Sequence, residues 1–177
     1  MASGTHGSLG AFNSAGARPG RHADSAKGRV PAAGPGNNPP MTMTTAEADK
    51  ILADNFAAWV LELGLTVEGL DDRRAVLRLP WSDRLAREGG AMSGQALMAA
   101  ADTATVIAVS AARGAYGPMT TVQQSTSFQR AVSGSDVLIE AVVTKLGRRM
   151  AFADITMTDG STDEIAARAS TVYAILG

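Results

Sequence analysis

One acidic residue interrupts the longest apolar stretch of this chain, and any fold must accommodate it. Gly89 to Ala112 reads GGAMSGQALMAAADTATVIAVSAA, with Asp102 its only ionisable group. An ionised carboxylate is expensive to bury without partners, so Asp102 is interfacial, hydrogen-bonded or chemically employed. Within the stretch, Ser93–Ala112 is a predicted helix, slim in alanine and apolar nearly all round. Such a helix is normally wrapped by other elements.

The flanking segments supply a wrapping. Thr44–Gly64 places Ile51, Leu52, Asn55, Phe56, Trp59, Val60 and Leu63 at helical spacing, which predicts a helix capped by Thr44 or Thr45. Leu65–Glu68 and Arg73–Leu79 are predicted strands around a Gly69–Asp72 turn, and Pro80 ends the second. Gly114 to Pro118 breaks the long helix. Thr120–Phe128, Val137–Leu146, Met150–Thr158 and Glu164–Leu176 follow as strands, with turn signals at Gly147–Arg148 and Asp159–Gly160. Helix, two strands, helix and four strands predict an α+β domain in which an antiparallel sheet covers one long helix.

Composition narrows the chemistry. Residues 1–43 are rich in Gly, Ala, Pro, Ser and Asn and hold few large apolar side chains, which predicts a disordered N-terminal extension ahead of a domain over residues 44–177. Met41 and Met43 are alternative start positions. The extension has no continuous apolar segment of the secretory kind, and the expected location is cytoplasmic. Four of the 16 Lys and Arg residues and one of the 17 Asp and Glu residues lie in the extension, so the body is net −4. It has no basic run, which argues against nucleic acid as a partner. The apolar stretch is too often interrupted by polar groups for a comfortable membrane span.

There is no Cys, and both histidines, His6 and His22, lie in the extension. That removes Ser–His–Asp and Cys–His nucleophiles and histidine- or thiolate-based zinc sites from the body. Catalysis there must use carboxylates, hydroxyls, amides, Arg, Lys, Tyr or backbone dipoles.

At the start of the long helix, Ser93 is a good N-cap type, and Gly94 allows a ligand to approach the backbone. The first N–H groups of a helix point outward without internal partners and can stabilise an anion or a developing oxyanion. Taken alone, this is also an ordinary cap. Asp102 follows Gly94 by eight residues, about 12 Å along the axis at helical rise. One small carbonyl cannot touch both groups. Two such helices side by side and antiparallel would bring Gly94 of one chain to Asp102 of the other, the geometry of a twofold dimer with shared sites. An N–H aimed at a carbonyl oxygen, with a carboxylate that takes a proton from water or attacks the carbonyl itself, is equipment for acyl transfer from an activated electrophile. A thioester fits better than an amide. The structural alternative for Asp102 is a hydrogen bond to Thr103, Thr105 or a partner chain.

Ser93-Gly94-Gln95, then six residues, then Asp102-Thr103-Ala104, resembles the helix of the hotdog-fold acyl-CoA thioesterases of the phenylacetate-pathway (PaaI-like) type. Ser127-Phe128-Gln129-Arg130, Gly134–Asp136, Gly147-Arg148-Arg149 and the alanine-rich last strand extend the resemblance over roughly residues 50–177. It implies a hotdog fold, homodimers through the central helix and often homotetramers, an acyl-CoA substrate, and no metal or redox cofactor. By position it makes Asp102 the catalytic carboxylate, Gly94 the donor to the thioester carbonyl, and Thr121 a hydroxyl that places the attacking water. Ser93 and Gln95 flank the substrate. Arg130, Arg148 and Arg149 are candidate phosphate ligands for coenzyme A through forked hydrogen bonds, the alternative being simple surface charge.

The chain departs from the family pattern at several places. Ser93 stands where the family has His, Gln95 replaces a Gly, Ala100 a Leu and Ala131 a Pro, and Arg87 stands where some members carry an amide. A non-catalytic acyl-CoA or lipid-binding hotdog protein is the rival that Ser93 favours. A hotdog hydratase needs a His that the body lacks. Gln123, Gln124, Ser125, Thr126 and Ser127 are polar on both strand faces, which points one side at a pocket or interface. Phe56 and Trp59 are predicted core, with an acyl cleft as the alternative, and Lys145 and Tyr173 have no reading beyond strand residues.

Overall fold

The long helix at the centre of the architecture has well-punctuated ends. In a computed structural model that describes residues 43–177, it runs Gly94–Arg113 (α3, after two earlier helical segments). Ser93 caps it, its side chain accepting the Ala96 N–H at 3.3 Å. Gly114 closes it in the left-handed conformation at φ 74°, which glycine adopts without the Cβ penalty. Ala100, Ala101, Ala104 and Ala108 are wholly buried, so the helix lies close on the sheet. Length and composition alone would let α3 cross a membrane, but 72% of that window is buried inside the domain.

The sheet holds six strands in the order β1-β2-β4-β5-β6-β3. They are β1 Thr66–Asp71, β2 Arg74–Leu79, β3 Met119–Phe128, β4 Val137–Leu146, β5 Met150–Asp159 and β6 Ile165–Ile175, with every pair antiparallel. Alternation sends Ala75, Leu77 and Leu79 of β2, Val137, Ile139, Ala141 and Val143 of β4, and Ala151, Ala153, Ile155 and Met157 of β5 into one core with α3. Short turns join β1 to β2, β4 to β5 and β5 to β6, whereas longer segments lead from β2 to α3 and from β3 across to β4, and β3 ends the sheet as an edge strand. The predicted α+β architecture, a sheet wrapped around one helix, is the observed one.

The N-terminal segment differs from the predicted single helix. It is α1 Thr45–Asn55 and a short α2 Ala58–Leu61, separated by extended residues at Phe56 and Ala57. The start matches prediction, with a complete capping box between Thr44 and Glu47. The end is set locally: the Asn55 side chain donates to the Ile51 carbonyl at 3.0 Å, competing with continuation of the helix. The break turns Leu63 into the core and Trp59 outward. Phe56 packs half-buried against the core as expected, whereas Trp59 is 61% exposed, so its predicted core role is wrong. The predicted Gly69–Asp72 turn is also too long. β1 continues to Asp71 through a bulge between Val67 and Gly69, and only Asp72 and Arg73 turn. The expectation for residues 1–42 lies outside the described residues; Met43 packs partly buried on the core.

Asp159 ties the far end of β5. Its Oδ1 accepts the Ser161 N–H at 2.8 Å, the Ser161 hydroxyl at 2.7 Å and the Ser135 hydroxyl at 2.8 Å. These donors, the Ser161 N–H foremost, hold its carboxyl below the usual carboxylate range. A carboxyl depressed in the fold contributes stability above its unfolded pKa, near 3.8, and that contribution is lost as pH falls through the lowered folded value. Asp159→Asn is therefore expected to be less stable than the native chain at neutral pH, with the gap closing below about pH 4. Denaturant midpoints of the two proteins measured across that range check it.

Candidate active site

Asp102 projects from the middle of α3 toward the sheet edge formed by β6 and β3. It is partly exposed, so it is not a charge sealed in the core. Two hydroxyls meet it: Thr121 donates to Oδ1 at 2.9 Å, and the Tyr173 hydroxyl lies against the same Oδ1 and against the Asp102 carbonyl at 3.0 Å. Thr103 and Thr105, the alternative partners, instead donate back along their own helix, to the Ala99 and Ala101 carbonyls at 2.8 and 2.9 Å.

Sheet register makes this arrangement possible. Thr121 and Tyr173 stand directly opposite one another in the β3–β6 ladder, and opposed residues point to the same face. On β3, Gln124 already faces the helix, its amide donating to the Met98 carbonyl at 3.0 Å. Strict alternation back from Gln124 would turn Thr121 to the outer face. The bulge between Thr121 and Gln123 inserts one residue, Val122, and restores Thr121 to the helix side. The polar strand is largely exposed along its length, in keeping with its side chains being polar on both faces.

The other predicted group, Gly94, lies at the helix tip. Leu97 N–H reaches the Ser93 carbonyl and Ala96 N–H the Ser93 hydroxyl. Among the described residues the Gly94 and Gln95 amides donate no hydrogen bond. The Phe128 ring stacks over Gly94: a Cβ there would sit 3.1 Å from the ring. Beside it opens a cleft of about 360 Å³ bounded by Arg87, Met92, Leu97, Phe128 and Arg130. On the other flank, Trp59, Leu63, Leu85 and Ala96 wall a second cleft next to Ser93 and Gln95.

Within one chain the predicted residues therefore fall into two groups. Gly94, Ser93, Gln95 and Arg130 gather at the helix tip, where Arg130 also pairs with Glu164 at 2.8 Å. Asp102 and Thr121 lie about two turns further along. Arg148 and Arg149 are exposed on the β4–β5 hairpin, at the same end of the sheet as Asp102: Ile175, two residues beyond Tyr173, donates its N–H to the Arg149 carbonyl. The tip presents amide donors and the middle presents a carboxylate, and neither group alone contains both.

Residues 89–166 match the family model described as the thioesterase superfamily. That stretch runs from the glycines before the helix tip into β6 and contains Gly94, Asp102 and Thr121. The six-stranded sheet around one long helix is the hotdog fold, and over that stretch the chain is similar to the thioesterase superfamily. A conserved protein from Pseudomonas aeruginosa is 29% identical with a TM-score of 0.64, over 68% of this chain and 95% of that one. Zebra fish thioesterase superfamily member 2 is 23% identical with a TM-score of 0.68, over 76% and 100%. The Escherichia coli PaaI protein from the phenylacetic acid degradation operon is 19% identical with a TM-score of 0.65, over 75% and 96%. The latter two likenesses are of fold. No curated protein sequence matches the chain significantly.

Sequence reasoning misses one member of this hotdog site, Tyr173, whose pattern predicts only a strand residue. A signal was present. Tyr173 is a bulky side chain among the small inward residues Ala167, Ala169 and Thr171 of β6, and a phenol in such a place needs a polar partner.

Proposed function

We propose that this hotdog domain hydrolyses an acyl-CoA thioester to a free acid and CoA. The observation that carries this reading is the state of Asp102: Oδ1 is held by hydroxyl donors, and among the described residues Oδ2 accepts no hydrogen bond. A carboxylate oriented in this way has one oxygen free to act as base or nucleophile. In the base route, Oδ2 takes a proton as water oxygen bonds to the thioester carbon. The carbonyl oxygen becomes an oxyanion, which the Gly94 N–H stabilises. The C–S bond then breaks, and the thiolate leaves with the proton that Asp102 returns. Thr121, whose own proton is engaged with Asp102, can still accept one from the water and so help to place it.

Because Gly94 and Asp102 are separated along a single helix, the proposal includes a homodimer in which each site combines the tip of one α3 with the middle of another. The exposed Gln95 and Met98 and the partly exposed Asp102, in one row on α3, and the uncovered edge β3 support such a pairing, and a homotetramer would be built from two of these dimers. Arg130, Arg148 and Arg149, separated in one chain, would then face the same thioester from its phosphate-bearing side. Trp59, Leu63, Leu85 and Ala96 offer the acyl group an apolar wall beside Ser93 and Gln95.

The test is release of CoA thiol from a panel of aryl-, short- and long-chain acyl-CoAs. Turnover above the uncatalysed rate with at least one member is the expected result. Tight binding without turnover across the panel would instead establish the non-catalytic acyl-CoA-binding reading. One observation favours that second reading: Ser93, standing where the family has His, spends its hydroxyl as a helix cap.

A further inference from the structure

Tyr173 is 2% exposed and lies between β5 and β3, opposite Ala151 on one side and Thr121 on the other. No substrate can touch a side chain so enclosed. Its hydroxyl nevertheless ends at the functional carboxylate, where a single proton has two acceptors in reach, the Asp102 carbonyl and Oδ1. An ionised carboxylate is the stronger acceptor. Packing alone does not call for this hydroxyl. Phenylalanine would fill the same volume, and β6 otherwise turns Ala167, Ala169, Thr171 and Ile175 inward.

We propose that Tyr173 is a positioning residue, whose hydroxyl fixes the rotation of the Asp102 carboxylate so that Oδ2 faces the reacting carbonyl. The inference rests on the thioesterase reading above and extends it to a residue outside the substrate's reach. A carboxylate on a helix surface rotates about two torsions. One donor from β3 limits that freedom, and a second donor from β6 meeting the same oxygen removes most of what is left. The two donors come from a cross-strand pair in the ladder, so they form one rigid fixture rather than two independent contacts. Burial, and then the negative charge of Asp102, push the Tyr173 hydroxyl far above the usual phenol range. It therefore remains a proton donor over the whole range in which the enzyme would work.

The experiment uses the full chain and the acyl-CoA it turns over fastest. In Tyr173→Phe, kcat is expected to fall about tenfold, the worth of one hydrogen bond to a charged group, with KM within about twofold because no substrate contact is lost. In an Asp102→Asn background the same change should leave the residual rate unaltered. An unchanged kcat in Tyr173→Phe, or an equal fall in both backgrounds, overturns the proposal. A readout free of turnover comes from fluorine. The chain has two tyrosines, and Tyr116 is 40% exposed, so a Tyr116→Phe chain labelled with 3-fluorotyrosine reports on Tyr173 alone. Its resonance should move on Asp102→Asn; a resonance that stays put overturns the proposal even if Tyr173→Phe fails to fold. A wild-type chain inactive on every acyl-CoA overturns the thioesterase reading and this inference with it. An active chain that needs Asp102 but not the Tyr173 hydroxyl overturns this inference alone.

Discussion

Asp102→Asn should reduce thioester hydrolysis by about 10²- to 10⁴-fold in kcat, the usual worth of a positioned base. The substitution is close to isosteric. An asparagine carbonyl can still accept from Thr121 and Tyr173, so the hydrogen bonds that hold the side chain survive. Only the ability to take a proton or attack the carbonyl is lost. The folded stability and the KM for acyl-CoA should accordingly stay near their wild-type values, and circular dichroism melts run beside the steady-state assay would show it. A variant that keeps full kcat would dismiss Asp102 as base or nucleophile and overturn the proposed mechanism.

Gly94→Pro should be equally damaging for a different reason, and mixing the two variants should undo much of the damage. Position 94 is the first residue of α3, where proline is tolerated because its missing N–H has no helical partner. Ser93 already has the extended backbone, φ −70° and ψ 145°, that precedes proline comfortably. The half-exposed Phe128 ring must give by a few tenths of an ångström to admit the new carbons. The substitution thus deletes the proposed oxyanion donor while keeping the helix, and a loss of about 10²- to 10³-fold is expected. If each site draws Gly94 from one chain and Asp102 from another, a heterodimer of Asp102→Asn and Gly94→Pro has one site with both groups intact. Random reassortment of equal amounts makes half the dimers mixed, so about a quarter of wild-type activity should return. Sites confined to single chains would restore none. The measurement is kcat per chain after co-refolding, against each variant refolded alone.

Local chemistry explains what could be read from the sequence. The ends of α3 are written in Ser93 and Gly114, the hairpins in Gly147–Arg148 and Asp159–Gly160, and the separation of Gly94 from Asp102 follows from helical rise alone. Asp102 is conspicuous as the one charge in an apolar run. Its surroundings were not legible. Tyr173 is 71 positions away in the chain, and it arrives through a strand register that no short-range pattern specifies. Thr121 faces the helix only because of the bulge at Val122, and a period-two reading back from Gln124 puts it on the wrong side. Continuous apolar spacing predicts a continuous N-terminal helix; the Asn55 side chain, bonding to the turn before it, ends it early, and Trp59 lies at the surface.

The bare methyl row of α3 leaves very little tolerance between helix and sheet. Ala100, Ala101, Ala104 and Ala108 have no exposed surface, so a larger side chain at any of them must lift the rod that bears the carboxylate. Overpacking of this kind costs about 1–3 kcal/mol in stability. Here it would also carry the Asp102 oxygen out of reach of hydroxyls rooted in the strands below. Alanine-to-valine drift beneath the rod would thus register as lost turnover before it registered as unfolding, which makes the least reactive side chains in the domain custodians of its chemistry.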